Sequence, residues 1–109
     1  MTEPAFLTLT ALVGAARHGY GLLAEVRELS EGRVEMKVGT LYGLLDRLVA
    51  EGLVGHDREE VHQGRRRRYY RLTDDGRTAL EAEVARQTAN ARAASVRLAR
   101  FSAVAGGAL

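Results

Sequence analysis

Five arginines, Arg65, Arg66, Arg67, Arg68 and Arg71, fall within seven positions with no acid among them. A guanidinium presents a planar fork of donors that matches phosphate oxygens, so such a run is first a candidate for phosphate contact. The whole chain carries 16 basic and 14 acidic residues, a net charge of +2. Setting those five aside leaves 11 basic against 14 acidic, or −3, so the positive charge is local. A local basic stripe is the electrostatic footprint of a nucleic-acid surface. The plain alternative is a solvated strand edge. Alternation along a strand puts Arg66 and Arg68 on one face and Arg65, Arg67 and Arg71 on the other. Some of these side chains are expected to reach phosphates or the minor groove.

A second group of candidates precedes the run. Thr40 stands where a helix is expected to begin, as its N-cap, and a helix amino terminus also binds anions. Tyr42 follows it, off the apolar stripe of that helix, and has two readings: a phosphate or base-edge contact, or a half-exposed ring packed on neighbouring strands. Lys37, the only lysine, is either a phosphate contact or a solvated side chain. Tyr20 is either a backbone contact or part of a turn, and His18 reads as a structural residue that fixes the turn. His18, His56 and His62 lack the spacing of metal ligands, so no metal or other cofactor is expected. No cysteine, GxSxG elbow, phosphate-binding glycine loop or paired-acid site is present in the sequence, and no enzymatic activity is expected.

The elements that must position these residues are legible from periodicity. Pro4 opens a first helix with Phe6, Leu9, Val13 and Ala16 on one face and Leu7 and Leu12 on another, apolar nearly all round. Gly19 and Gly21 bracket Tyr20 in a turn, and Leu22, Leu23, Val26 and Leu29 carry a second helix to about Ser30–Gly32. Val34 and Met36 alternate in the following connection, where a short strand is expected. Leu41, Leu44, Leu45, Leu48 and Val49 recur at i, i+3, i+4, i+7 and i+8, the clearest amphipathic stripe in the chain, and Gly52 terminates it. Leu53 to Asp57 and Arg66 to Leu72 read as two strands around a polar tip. Thr73 caps a long fourth helix whose seam runs Leu80, Val84, Thr88, Ala91, Ser95, Leu98 and Ser102. Gly106 to Leu109 are expected to fray.

The predicted fold is α+β, mostly α: a winged helix-turn-helix over residues 1–73, whose third helix is offered to the DNA major groove, followed by a long C-terminal dimerisation helix over 74–105. A chain of 109 residues has room for one core. The apolar run from Ala5 to Ala16 is too short to span a bilayer, and no basic cluster precedes it, so neither membrane nor secretion is expected and the default compartment is the cytoplasm.

Three segments then match a known pattern in order and spacing. They are His18-Gly19-Tyr20-Gly21, the stretch Val38-Gly39-Thr40-Leu41-Tyr42-Gly43-Leu44-Leu45 running on to Glu51-Gly52-Leu53-Val54, and the wing Gly64-Arg65-Arg66-Arg67-Arg68-Tyr69-Tyr70-Arg71-Leu72-Thr73-Asp74-Asp75-Gly76. From about Phe6 to Leu80 the chain resembles the PadR family of bacterial transcriptional regulators, in its short form with one carboxy-terminal helix. The family commonly has proline where this chain has Val38 and Gly43.

The resemblance implies a homodimeric repressor on a near-palindromic DNA operator, with Tyr20, Lys37, Thr40, Tyr42, Arg65, Arg66, Arg67 and Arg68 at the DNA and Tyr42 favoured as a contact. It implies a dimer interface along Leu80, Val84, Ala91 and Leu98, with Phe6 and Leu9 nearby. It also implies a small apolar or aromatic effector at the dimer centre. Some short members hold flat aromatic drugs between tryptophans, and this chain has none. Two other readings remain open: a protein-interaction module that keeps the fold without binding DNA, and a winged helix that binds RNA.

Overall fold

The computed structural model describes residues 1–107, and side chains through residue 102. Helix α1 spans Glu3–Ala11, with Thr2 as N-cap accepting from the Ala5 N–H at 3.2 Å and Pro4 in the first turn. Its two threonines are absorbed by the helix itself. Thr8 and Thr10 donate their hydroxyls to the carbonyls of Pro4 and Phe6 at 2.8 and 2.7 Å, which lets Thr8 sit fully buried. Leu9, Leu7, Ala11 and Leu12 enter the core, whereas Val13 is exposed.

A two-residue strand, β1 (Arg17–His18), precedes α2 (Gly19–Leu29). Gly19 and Gly21 therefore lie in the first turn of the helix and not in a turn before it. The His18 side chain caps α2 by accepting from the Gly21 N–H at 3.2 Å. At its other end Glu31 and Gly32 take positive φ, 54° and 81°. Buried Ser30 accepts from the Val34 N–H at 3.0 Å. That bond takes the backbone donor a strand would have used, and the expected strand at Val34–Met36 does not form. Both side chains pack instead against the core.

Helix α3 covers Val38–Ala50, three residues longer at its start than expected. Its N-cap is Lys37, in extended conformation, whose carbonyl accepts from the Leu41 N–H at 3.0 Å. Thr40 thus sits inside the first turn and caps nothing, because the backbone turns helical before reaching it. The far end closes as expected: Gly52 has φ 78°, its N–H donates to the Val49 carbonyl, and the Leu53 N–H donates to that of Leu48, the two bonds of a Schellman motif.

Strands β2 (Val54–His62) and β3 (Arg65–Leu72) pair in antiparallel register from Val54↔Leu72 to His62↔Arg65, with an irregularity between His56 and Glu59. The polar tip is far shorter than expected. Gln63 and Gly64, with φ 51° and 77°, form a two-residue turn of the type that matches strand twist, so Arg58 to His62 belong to the ribbon. β1 adds to the other edge, giving the order β1-β3-β2, with His18 opposite Tyr69.

Helix α4, Asp74–Gly107, starts at Thr73, whose hydroxyl oxygen accepts from the Gly76 N–H at 2.9 Å while its hydrogen goes to the Gly52 carbonyl at 2.6 Å. The helix is assigned through Gly107; of the four residues expected to fray, the last two lie outside the described residues. Leu9, Leu22, Val26, Leu41, Leu45 and Val54 are the centre of the core, and Leu80 closes its margin. The radius of gyration is 18.3 Å, against about 13 Å for a compact chain of this length. The excess comes from α4, which runs on past the head.

Candidate nucleic-acid interface

Helix α3 presents its leucines inward and leaves Gly39, Thr40, Tyr42, Gly43, Asp46 and Arg47 exposed. The helix runs unbroken through Gly43, and a Cβ at Gly39 or Gly43 would meet nothing within 4 Å. The outer face is therefore open backbone flanked by Thr40 and Tyr42. Tyr42 folds back across the head of α2: a Cβ built on Gly19 would lie 2.5 Å from its hydroxyl. Tyr42 is thus partly packed on the head of α2, and it stays 38% exposed. Tyr20 is 60% exposed beside it.

Tyr20, Tyr42, His18 and all four arginines from Arg65 to Arg68 line one cleft of about 310 Å³ between the start of α2 and the ribbon. Lys37 and Thr40 are exposed at the start of α3 but do not line that cleft. Arg66 and Arg68 both face Glu59 of the neighbouring strand, at 3.9 and 3.6 Å. Arg58 stacks over the Tyr69 ring at 4.0 Å and is held at 2.7 Å by both Asp57 and Glu60. Hydrogen bonds from Arg58 and Tyr69 keep the Glu60 carboxyl below its usual range. Sequence reasoning missed these acids. With the turn placed at Gln63-Gly64, counting back pairs Glu59 with Arg68 and Glu60 with Arg67; a longer tip hides that pairing.

His18 is held by the Gly21 cap and by the edge of the Tyr69 ring at 5.3 Å between centroids, and its Nε2 lies 3.4 Å from Arg67 Nη1. Burial, then the charges of Arg67 and His62, push its pKa below the usual histidine value, opposed by Glu60. Among the described residues no cluster of side chains could hold a metal ion, and no helix is long and apolar enough to cross a membrane.

The expected interface residues divide by burial. Val84 and Leu98 are 47% and 66% exposed, and every residue from Val84 to Ser102 is exposed in the protomer. Ala91 lies within that stretch. Leu80 and Phe6 are largely covered, and Leu9 is fully enclosed. Leu9, expected near the interface, is enclosed because α1 is wedged into the protomer's own core.

A three-helix head, a twisted basic ribbon and an open helix face beside it define a winged helix-turn-helix protein. The chain belongs to the PadR-like family of transcriptional regulators, whose family model matches residues 8–82. It is 46% identical over 54 residues to the transcriptional regulator Rv3488 of Mycobacterium tuberculosis, a match spanning half of each chain. A PadR family transcription regulator from Clostridium difficile superposes with a TM-score of 0.71 at 28% identity, over 84% of this chain and 93% of that one. Bacillus subtilis PadR, solved in complex with operator DNA, shares the fold with a TM-score of 0.68 at 22% identity, over 77% and 47% of the two chains.

Proposed function

We propose that this regulator is a homodimeric, ligand-responsive repressor that places two copies of α3 in successive major grooves of a near-palindromic operator. The observation that carries the reading is the cleft that sets Tyr42 and four consecutive arginines beside the open face of α3. Arg65 to Arg68 then meet phosphates, Lys37 and Thr40 approach the backbone from the start of α3, Tyr20 contacts it from α2, and Tyr42 stands nearest the bases. The operator complex of Bacillus subtilis PadR supports this use of the fold. The exposed stretch of α4 from Val84 to Leu98 supports pairing of two chains, with Leu80 and Phe6 at its margin. An effector at the dimer centre would bind among aliphatic side chains and Phe101, which is 74% exposed in the protomer. The test is a gel shift with the promoter of the protein's own gene. A retarded complex that survives excess random DNA is expected. Absence of any DNA complex would give precedence to a protein-interaction module.

A further inference from the structure

We infer that the cleft between the head of α2 and the ribbon is a seat for one phosphate group, with His18 as its neutral donor and Arg67 as its charged one. The Gly21 N–H can only donate, so the His18 Nδ1 that receives it at 3.2 Å carries no hydrogen. In the neutral ring the proton is then on Nε2. Nε2 faces Arg67 Nη1 at 3.4 Å, and a guanidinium has no acceptor. Two donors therefore confront each other across a gap that only an acceptor of both can fill. Glu60, the carboxylate whose charge acts on His18, is engaged by Arg58 at 2.7 Å. Arg67 forms no ion pair among the described residues, and the Tyr42 hydroxyl stands at the same rim over Gly19. A tetrahedral oxyanion supplies acceptors in several directions at once, which a chloride or a planar carboxylate does less well.

The seat deepens the DNA-binding reading and rests on it for one source of phosphate, the duplex backbone; a free phosphate compound is the other. His18→Asn separates the cases. Asparagine is a good N-cap and keeps an acceptor for Gly21, but it lacks the ring donor. The ¹⁵N resonances of the His18 ring are followed in the wild type with inorganic phosphate, against chloride at equal ionic strength. Duplex affinity is measured by fluorescence anisotropy for wild type, His18→Asn and Arg67→Gln on a random duplex. The ring is expected to carry its proton on Nε2 and to respond to phosphate. His18→Asn is expected to lose about tenfold in affinity per subunit, roughly a hundredfold across a two-fold dimer, as for a hydrogen bond to a charged group, with an unchanged salt slope. Arg67→Gln loses affinity and flattens the slope by about 2 units across a two-fold dimer. A phosphate response without any loss in His18→Asn assigns the seat to free phosphate compounds. A proton on Nδ1, or neither response while the wild type binds duplex, overturns the seat and leaves DNA binding standing. A phosphate response with no duplex binding by the wild type keeps the seat and overturns the DNA reading.

Discussion

Glu59 lies between Arg66 and Arg68, so in the free protein two of the ribbon arginines share one carboxylate. Exposed pairs of this kind contribute about 0–1 kcal/mol, enough to compete with phosphate but not to prevent contact. Glu59→Gln is expected to tighten binding to any duplex by a few-fold in low salt, read by fluorescence anisotropy; weaker binding would mean that Glu59 holds the arginines in place for DNA. Replacing Arg66 and Arg68 together with alanine should flatten the log–log salt slope by about 2–4 units in a two-fold dimer, and an unchanged slope would make them a solvated face. His18 gives a prediction of the opposite kind, about the free fold. Its pKa lies below the ordinary 6.5, so the unfolded chain binds more protons as the pH falls below that value. The stability it contributes is complete above 6.5 and is lost as pH drops through the lowered value, because burial, then the Arg67 and His62 charges, disfavour the charged ring in the folded chain. The melting temperature should fall from about pH 7 to pH 5 in the wild type and stay flatter in His18→Asn. Equal slopes in both would show that the ring does not titrate as described. Glu60 and Glu83 act in a lower window, since hydrogen bonds to arginine depress both carboxyls from 4.5.

Of the glycines, Gly76 is the most tightly enclosed, where the first turn of α4 meets the link from α3 to β2 and the end of β3. A Cβ at Gly76 would overlap the Leu53 carbonyl and lie 2.8 Å from Leu72 Cδ1. Neither backbone nor core can yield there, so Gly76→Ala should cost about 1–3 kcal/mol and lower the melting temperature by roughly 5–15 °C. Gly43→Ala, whose Cβ is open, should instead add about 1 kcal/mol, from helix propensity. Equal effects in thermal denaturation would remove the packing account of Gly76. This junction also marks how far the sequence can be read. The leucine spacing of α3, the Gly52 stop, the Thr73 cap and the head–ribbon–helix order follow from local rules, and all four are present. What local rules missed was decided by partners distant in sequence. β1 exists only because β3 offers an edge to Arg17 and His18. The length of the ribbon depends on Gln63 accepting positive φ, unusual outside glycine. Of the candidate site, the arginines and Tyr42 were legible by type and position; their acidic neighbours and the capping role of His18 were not.

At the scale of the whole molecule, the head holds the core and α4 carries little of it. Val84, Val96, Leu98 and Phe101 are 44–74% exposed on one long helix. An isolated helix with so little cover is marginal, since most helical stability in proteins comes from packing. Pairing of two chains along it would supply that packing. Leu98→Asp should then shift the protein from dimer to monomer in sedimentation velocity at micromolar concentration, leaving the head folded. A wild type that sediments as a monomer and still binds its operator tightly would end the dimer proposal. If the dimer centre holds an effector, a screen of phenolics and flat cationic compounds should yield one that weakens operator binding; uniform silence would place regulation elsewhere.

The proposed function requires two heads joined through α4 to read a sequence. The direct measurement is fluorescence anisotropy of the wild-type protein on its own promoter duplex and on a shuffled duplex of equal length, across a salt series. Recognition through α3 with phosphate contacts from the ribbon predicts binding at least about a thousandfold tighter to the promoter. It also predicts a negative log–log salt slope of several units on both duplexes. Equal affinity for the two duplexes at every salt concentration would contradict reading by α3, and no measurable binding to either would contradict DNA as the partner.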